Sequence, residues 1–65
     1  MATVAVYPVV WESRDKTLWR ADRWDAEGIL TPDGEGELCG KRQDAIDDVA
    51  ELGDIIEEDE PEYID

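Results

Sequence analysis

Histidine is absent, and its absence excludes Ser-His and Cys-His nucleophile pairs and any imidazole metal ligand. Phenylalanine is absent too, so the aromatic content rests on three Trp and two Tyr. Cys39 is the single cysteine, which rules out an internal disulfide and fits a reducing compartment. No apolar run approaches the ~18–20 residues of a membrane span. The opening MATVAVYPVVWE is apolar but lacks a basic n-region and continues as strand-like sequence, so no signal peptide is expected. The expected location is the cytoplasm, or a host cytoplasm if the chain is phage-encoded. Bases are scarce: six Lys and Arg face nineteen Asp and Glu, for a net charge of −13. The imbalance is uneven, with +1 over residues 1–24 and −14 over residues 25–65. Such a field repels nucleic acid and anionic membrane and attracts basic proteins. A protein partner, basic in character, is therefore expected, with no direct nucleic-acid binding and no membrane binding.

A chain of 65 residues makes one domain, and one of this size buries only ~60% of the surface its unfolded form exposes. A hydrophobic fraction of 42% still argues for a folded core. Thr3–Glu12 reads as a strand, with Val4, Val6 and Val10 on one face and Ala5, Tyr7, Val9 and Trp11 on the other. Pro8 cannot donate to a ladder, which predicts an edge position or a bulge there. Thr17–Trp24 alternates as a second strand, antiparallel to the first. Asp25–Gly28 is a turn, Ile29–Thr31 a short strand, and Pro32-Asp33-Gly34 a strong turn signal. In Lys41–Leu52, Ala45, Val49 and Leu52 recur at helical spacing, with Ile46 and Ala50 widening the stripe and Gly53 at the stop. The expected fold is a two-layer α+β domain over residues 1–57: a three- or four-stranded antiparallel β-meander with one helix across it and a short edge strand at Ile55-Ile56. Residues 58–65 are expected as an acidic mobile tail.

Several of these residues resemble the YegP-like domains, small proteins of unknown function. Trp19-Arg20 falls on their Trp/Arg strand, Glu27-Gly28 with Ile29-Leu30 on the turn and hydrophobic pair, and Gly34-Glu35-Gly36 on the glycine corner. Ala45-Ile46 and Val49 fall on the helix and Ile55-Ile56 on the closing strand, so the resemblance runs from Tyr7 to Glu57. Glu37-Leu38 replaces the aromatic expected after the corner, and the turn has no Asn. Tyr7–Glu12 is similar to the opening strand of HicB-type antitoxins, without their Pro-Asp-Leu-Pro-Gly segment. Neither resemblance supplies catalytic residues.

No enzyme is expected, and no cofactor. The carboxylates are plentiful, but an acid/base pair needs a cleft and one raised pKa. Cys39 stands near Lys41 and Arg42, which would lower a thiol pKa, but it reads first as a small half-buried residue after a turn. Asp33, Glu35, Glu37 and Asp44 follow part of a calcium-loop spacing, yet Leu38 occupies the obligatory glycine position, so no metal site is assigned. Two surfaces remain. Asp44, Asp47, Asp48 and Glu51 form a negative row on the helix, continued by Glu57 and Glu58. Tyr7, Val9 and Trp11 form an apolar strand face suited to a partner or a homodimer. The leading expectation is a non-enzymatic protein-interaction module that self-associates through its first strand. The alternative is a phage-type DNA mimic whose acidic row and tail occupy the basic groove of a nucleic-acid-binding protein. A third reading makes the acids the solvating surface of a salt-adapted protein.

Overall fold

Alternating valines organise the sheet. The computed structural model describes residues 2–65. Strands β1 (Thr3–Trp11) and β2 (Lys16–Trp24) form an antiparallel hairpin in unbroken register, from Thr3 opposite Trp24 to Trp11 opposite Lys16. A short 3-10 turn at Glu12–Arg14 joins them and closes on Asp15, which is left-handed at φ 47°. Aspartate tolerates that region better than most residues. Strand β3 (Leu30–Glu35) pairs with β2, helix α1 (Arg42–Val49) crosses one face, and β4 (Ile55–Glu58) and β5 (Glu62–Ile64) both lie along the far side of β1.

The architecture is α+β, a mixed five-stranded sheet of order β3-β2-β1-β4 with β5 also on β1 and one helix packed against it. The expected antiparallel meander is corrected here, because β4 and β5 run parallel to β1. A parallel neighbour needs a crossover, and the α1 segment supplies it. The segment expected as a tail holds β5, and the Trp11 indole Nε1–H donates to the Asp65 carbonyl at 2.9 Å.

Pro8 lies in a central strand without a bulge, against the edge position or bulge expected for it. Ala2 and Val6 direct their carbonyls away from β2, accepting from Ile55 and Asp59 N–H at 2.9 Å each. By alternation Pro8 faces the same way. There β4 stops opposite Val6 and β5 begins opposite Val9, so residues 59–61 bulge across from the position that has no donor. The interruption is in the neighbouring strand.

The core is small. Val4, Val6 and Ala21 of the sheet meet Ala45, Ile46 and Val49 of α1, with Trp19, Cys39 and Ala50 packed alongside. The helix ends at Val49, three residues before the expected Leu52, which is left fully exposed. Ala50 is already extended, at φ −72° and ψ 142°. The Glu51 N–H donates to Asp54 Oδ2 at 2.8 Å, and the Asp54 N–H returns to the Glu51 carbonyl at 3.1 Å across Gly53, φ 90°. A tight turn there outcompetes another helical turn. Pro32-Asp33-Gly34, read as a turn between strands, is a large bulge inside β3: residues 31–34 face Arg23 alone, with Asp33 left-handed at φ 60°.

Candidate functional site

The acidic row does not survive as one surface. Asp44 and Asp47 point to solvent from α1, where Asp47 accepts from the Gln43 amide at 2.9 Å. Asp48 turns inward enough to accept the Glu37 N–H at 3.0 Å. Glu51 lies beyond the helix end and pairs with Arg23 at 2.7 Å, and Glu58 pairs with Arg42. Glu57 stands opposite Ala5 on the other face of the sheet from Glu58. Helical spacing was sound for Asp44, Asp47 and Asp48. It could not apply to Glu51, and strand alternation separates Glu57 from Glu58.

Asp54 was not distinguished from its acidic neighbours by any local pattern, yet it is the best-connected carboxylate. Its side chain is 3% exposed and accepts Arg23 Nε and Glu51 N–H at 2.8 Å each, with Ala2 N–H at 3.3 Å. The hydrogen bond from the Arg23 guanidinium, helped by the Glu51 and Ala2 N–H groups, brings its pKa down to about 2. It ties the entry of β1, the end of β2 and the turn into β4 at a single point.

The face opposite α1 has no second layer among the described residues. Its centre is polar: Tyr7 Oη donates to Asp22 Oδ2 at 3.0 Å, Gly36 N–H donates to Asp22 Oδ1 at 3.3 Å, and Arg20 bridges Asp22 and Glu35. Of the three apolar residues expected as a contact surface, Val9 is 2% exposed and so buried within the chain itself. Tyr7 is half-buried, and Trp11 lies beneath the Arg14 guanidinium at 4.8 Å and donates to Asp65. With β2 on one side and β4 and β5 on the other, β1 has little free edge, so self-association through it would use its face. Burial, together with the bond to Asp22, pushes the Tyr7 hydroxyl up to about 12. Absorbance titration at 295 nm is expected to show one tyrosinate step near pH 12 that returns to about 10 in unfolding denaturant. Because the folded value is the higher one, the associated stability is intact below pH 10 and is lost as the pH rises towards 12. A folded-state step for Tyr7 at 10 would exclude the Asp22 bond.

A different apolar row is the accessible one. Leu30 pairs with Trp24, Trp24 with Thr3 and Thr3 with Ile55, so these four stand side by side across β3, β2, β1 and β4. At ~4.8 Å per strand the row is about 14 Å long. Thr3 alternates with the buried Val4, which places the row on the face away from α1. Trp24, Leu30 and Ile55 are 37%, 38% and 48% exposed. Only the assembled register brings them together.

On the helix side an open recess of about 320 Å³ is lined by Arg23, Thr31, Asp33, Asp48 and Glu51 among others. Its one guanidinium is already committed to Glu51 and Asp54. Cys39 pairs through its backbone with Trp19, and its thiol pKa is raised, by desolvation first and then by Asp48, Asp44 and Glu37. The lowering expected from Lys41 and Arg42 is thus reversed. Among the described residues no three Asp, Glu or Cys side chains gather as metal ligands, and Asp33, Glu35, Glu37 and Asp44 form no calcium loop. No helix among them is long and apolar enough to cross a membrane. Set against known proteins, the chain matches no family model, no curated protein and no solved structure.

Proposed function

We propose that the chain is a non-enzymatic interaction module whose partner is a basic protein. The observation that carries this is how its charge is distributed. Arg20, Arg23 and Arg42 are consumed by internal pairs with Asp22, Glu35, Glu51, Asp54 and Glu58. The other fourteen of the nineteen carboxylates have no cation partner within the described residues. A surface so depleted of free cations favours a cationic partner and speeds its encounter.

The DNA-mimic alternative draws its support from Asp44 and Asp47, which stand outward on α1 as a phosphate-like pair. Glu51 and Glu58, spent on arginines, and Glu57, on the opposite face, weaken it. Tagged protein incubated with source-cell extract at low and at moderate salt tests both readings. Retention of a basic protein that weakens as salt rises is the expected result, and its displacement by duplex DNA would transfer support to mimicry. Capture of no basic protein at low salt, beyond what an equally acidic unrelated domain retains, would end both.

A further inference from the structure

The apolar row and its rim locate the contact. We infer that the ledge formed by Leu30, Trp24 and Ile55 is the docking surface for a basic protein that presents apolar side chains set among lysines or arginines. This rests on the basic-partner reading and adds to it a place and a chemistry. All three ledge residues are at least 37% exposed on a sheet face that the single helix leaves uncovered. An indole beside Leu30, with Ile55 one strand beyond Thr3, is the kind of anchor that dominates protein contacts.

The rim decides the occupant. Asp25 and Glu27 follow Trp24 in the adjoining turn, and Glu57 stands on the same face as Ile55, two residues on. No Lys or Arg pairs with any of these three among the described residues. A polar rim around an apolar centre is ordinary interface anatomy, and these three rim residues are all negative. Asp25 also fixes the turn geometry, because its Oδ1 accepts the Glu27 and Ile29 N–H groups at 2.9 and 3.0 Å. A second copy of this chain fits badly. Stacked on this ledge it would set carboxylates against carboxylates and bring two charges of −13 together. A partner with bases around an apolar patch meets the centre and the rim at once.

The test uses the full chain, labelled with ¹⁵N, and two synthetic peptides of equal charge, one alternating Lys with Leu and one alternating Lys with Ser. The indole N–H signals of Trp11, Trp19 and Trp24 report separately on three parts of the molecule. The Lys/Leu peptide is expected to bind about tenfold or more tightly than the Lys/Ser peptide and to move the Trp24 indole and the amides of Leu30 and Ile55. Trp24→Ser and Leu30→Ser should each weaken that binding about tenfold, whereas Asp44→Asn with Asp47→Asn should change it less than about twofold. If Trp24→Ser loses its dispersed spectrum, Leu30→Ser and Ile55→Ser, at exposed positions, carry the test. Equal binding of the two peptides with shifts confined to α1 would overturn the ledge while leaving the basic-partner reading in place. Failure of both peptides to bind at low salt would overturn both. Concentration-dependent shifts of the ledge in the free protein, with a dimer mass in sedimentation, would give the ledge to a second copy and overturn the basic occupant.

Discussion

Asp54→Ala is expected to lower the melting temperature by roughly 10 °C or more, the largest effect of any carboxylate substitution in the chain. The side chain is 3% exposed and answers donors from Ala2 just before β1, from β2 and from the turn before β4. Its removal leaves the Glu51 and Ala2 N–H groups short of an acceptor and Arg23 with only Glu51, which is 68% exposed and a weak partner in water. Asp54→Asn should fall between, since it keeps one acceptor oxygen and loses the charge. Acid separates the contributions. The Asp54 carboxyl titrates at about 2 in the fold against 3.8 when unperturbed, so its contribution is complete above pH 4 and disappears as the pH falls towards 2. Protonating the excess carboxylates works in the opposite direction by relieving self-repulsion. The difference in melting temperature between the native chain and Asp54→Asn isolates the first term, and it should shrink between pH 4 and pH 2. A difference that stays flat over that window, or an Asp54→Ala variant within about 2 °C of the native chain, would show that Asp54 does not hold the strands together.

Gly36→Ala is the second large effect. A Cβ at Gly36 would lie 2.2 Å from the Ala21 carbonyl oxygen, and Ala21 is fully buried under α1. The obstructing carbonyl is backbone, so no side-chain rotation relieves the overlap. Either the corner lifts off β2, losing the Gly36 N–H bond to Asp22, or the Ala21 carbonyl leaves its ladder. A cost of about 3 kcal/mol or more is expected. A domain of this length has only ~3–10 kcal/mol in total. Gly40→Ala is the matched control, because nothing lies within 4 Å of its added methyl, and it should stay within about 0.5 kcal/mol of the native chain. Urea unfolding of the two variants side by side decides it. A Gly36→Ala variant as stable as Gly40→Ala would mean that the corner is not seated on β2.

The parts of the fold legible in the sequence are those with a strong local period. Valine and tryptophan alternation marked the β1–β2 hairpin, and Ala45, Ile46 and Val49 marked the buried side of α1. What stayed hidden depends on partners distant in sequence. Glu62–Ile64 carries no apolar pattern of its own and becomes a strand because β1 offers it a vacant edge. The helix stops short of Leu52 because Asp54, occupied with Arg23 and Ala2, also takes the Glu51 N–H. In a chain with nineteen acids, no local sign separates that one from the rest. The candidate surface shows the same division. Trp24, Leu30 and Ile55 are unremarkable in order along the chain, and three separate strand registers are needed to align them. Val9, apolar and on a strand, looked available for contact, but it is covered by its own chain.

The interruption opposite Pro8 also bears on whether this flank of the sheet can accept a further strand. An outer strand with continuous unpaired N–H and C=O groups is a template on which another chain can add. Ile55-Ile56 is the most adhesive pair on this flank, and both residues are at least 40% exposed. The chain follows them immediately with Glu57 and Glu58, then breaks the ladder with the bulge Asp59-Glu60-Pro61, itself acidic. An incoming strand would have to bury carboxylates and skip a register after four residues of β4. The acids along β4 thus oppose further growth of the sheet at its rim, a protection that weakens as the solution approaches the isoelectric point near 4.1.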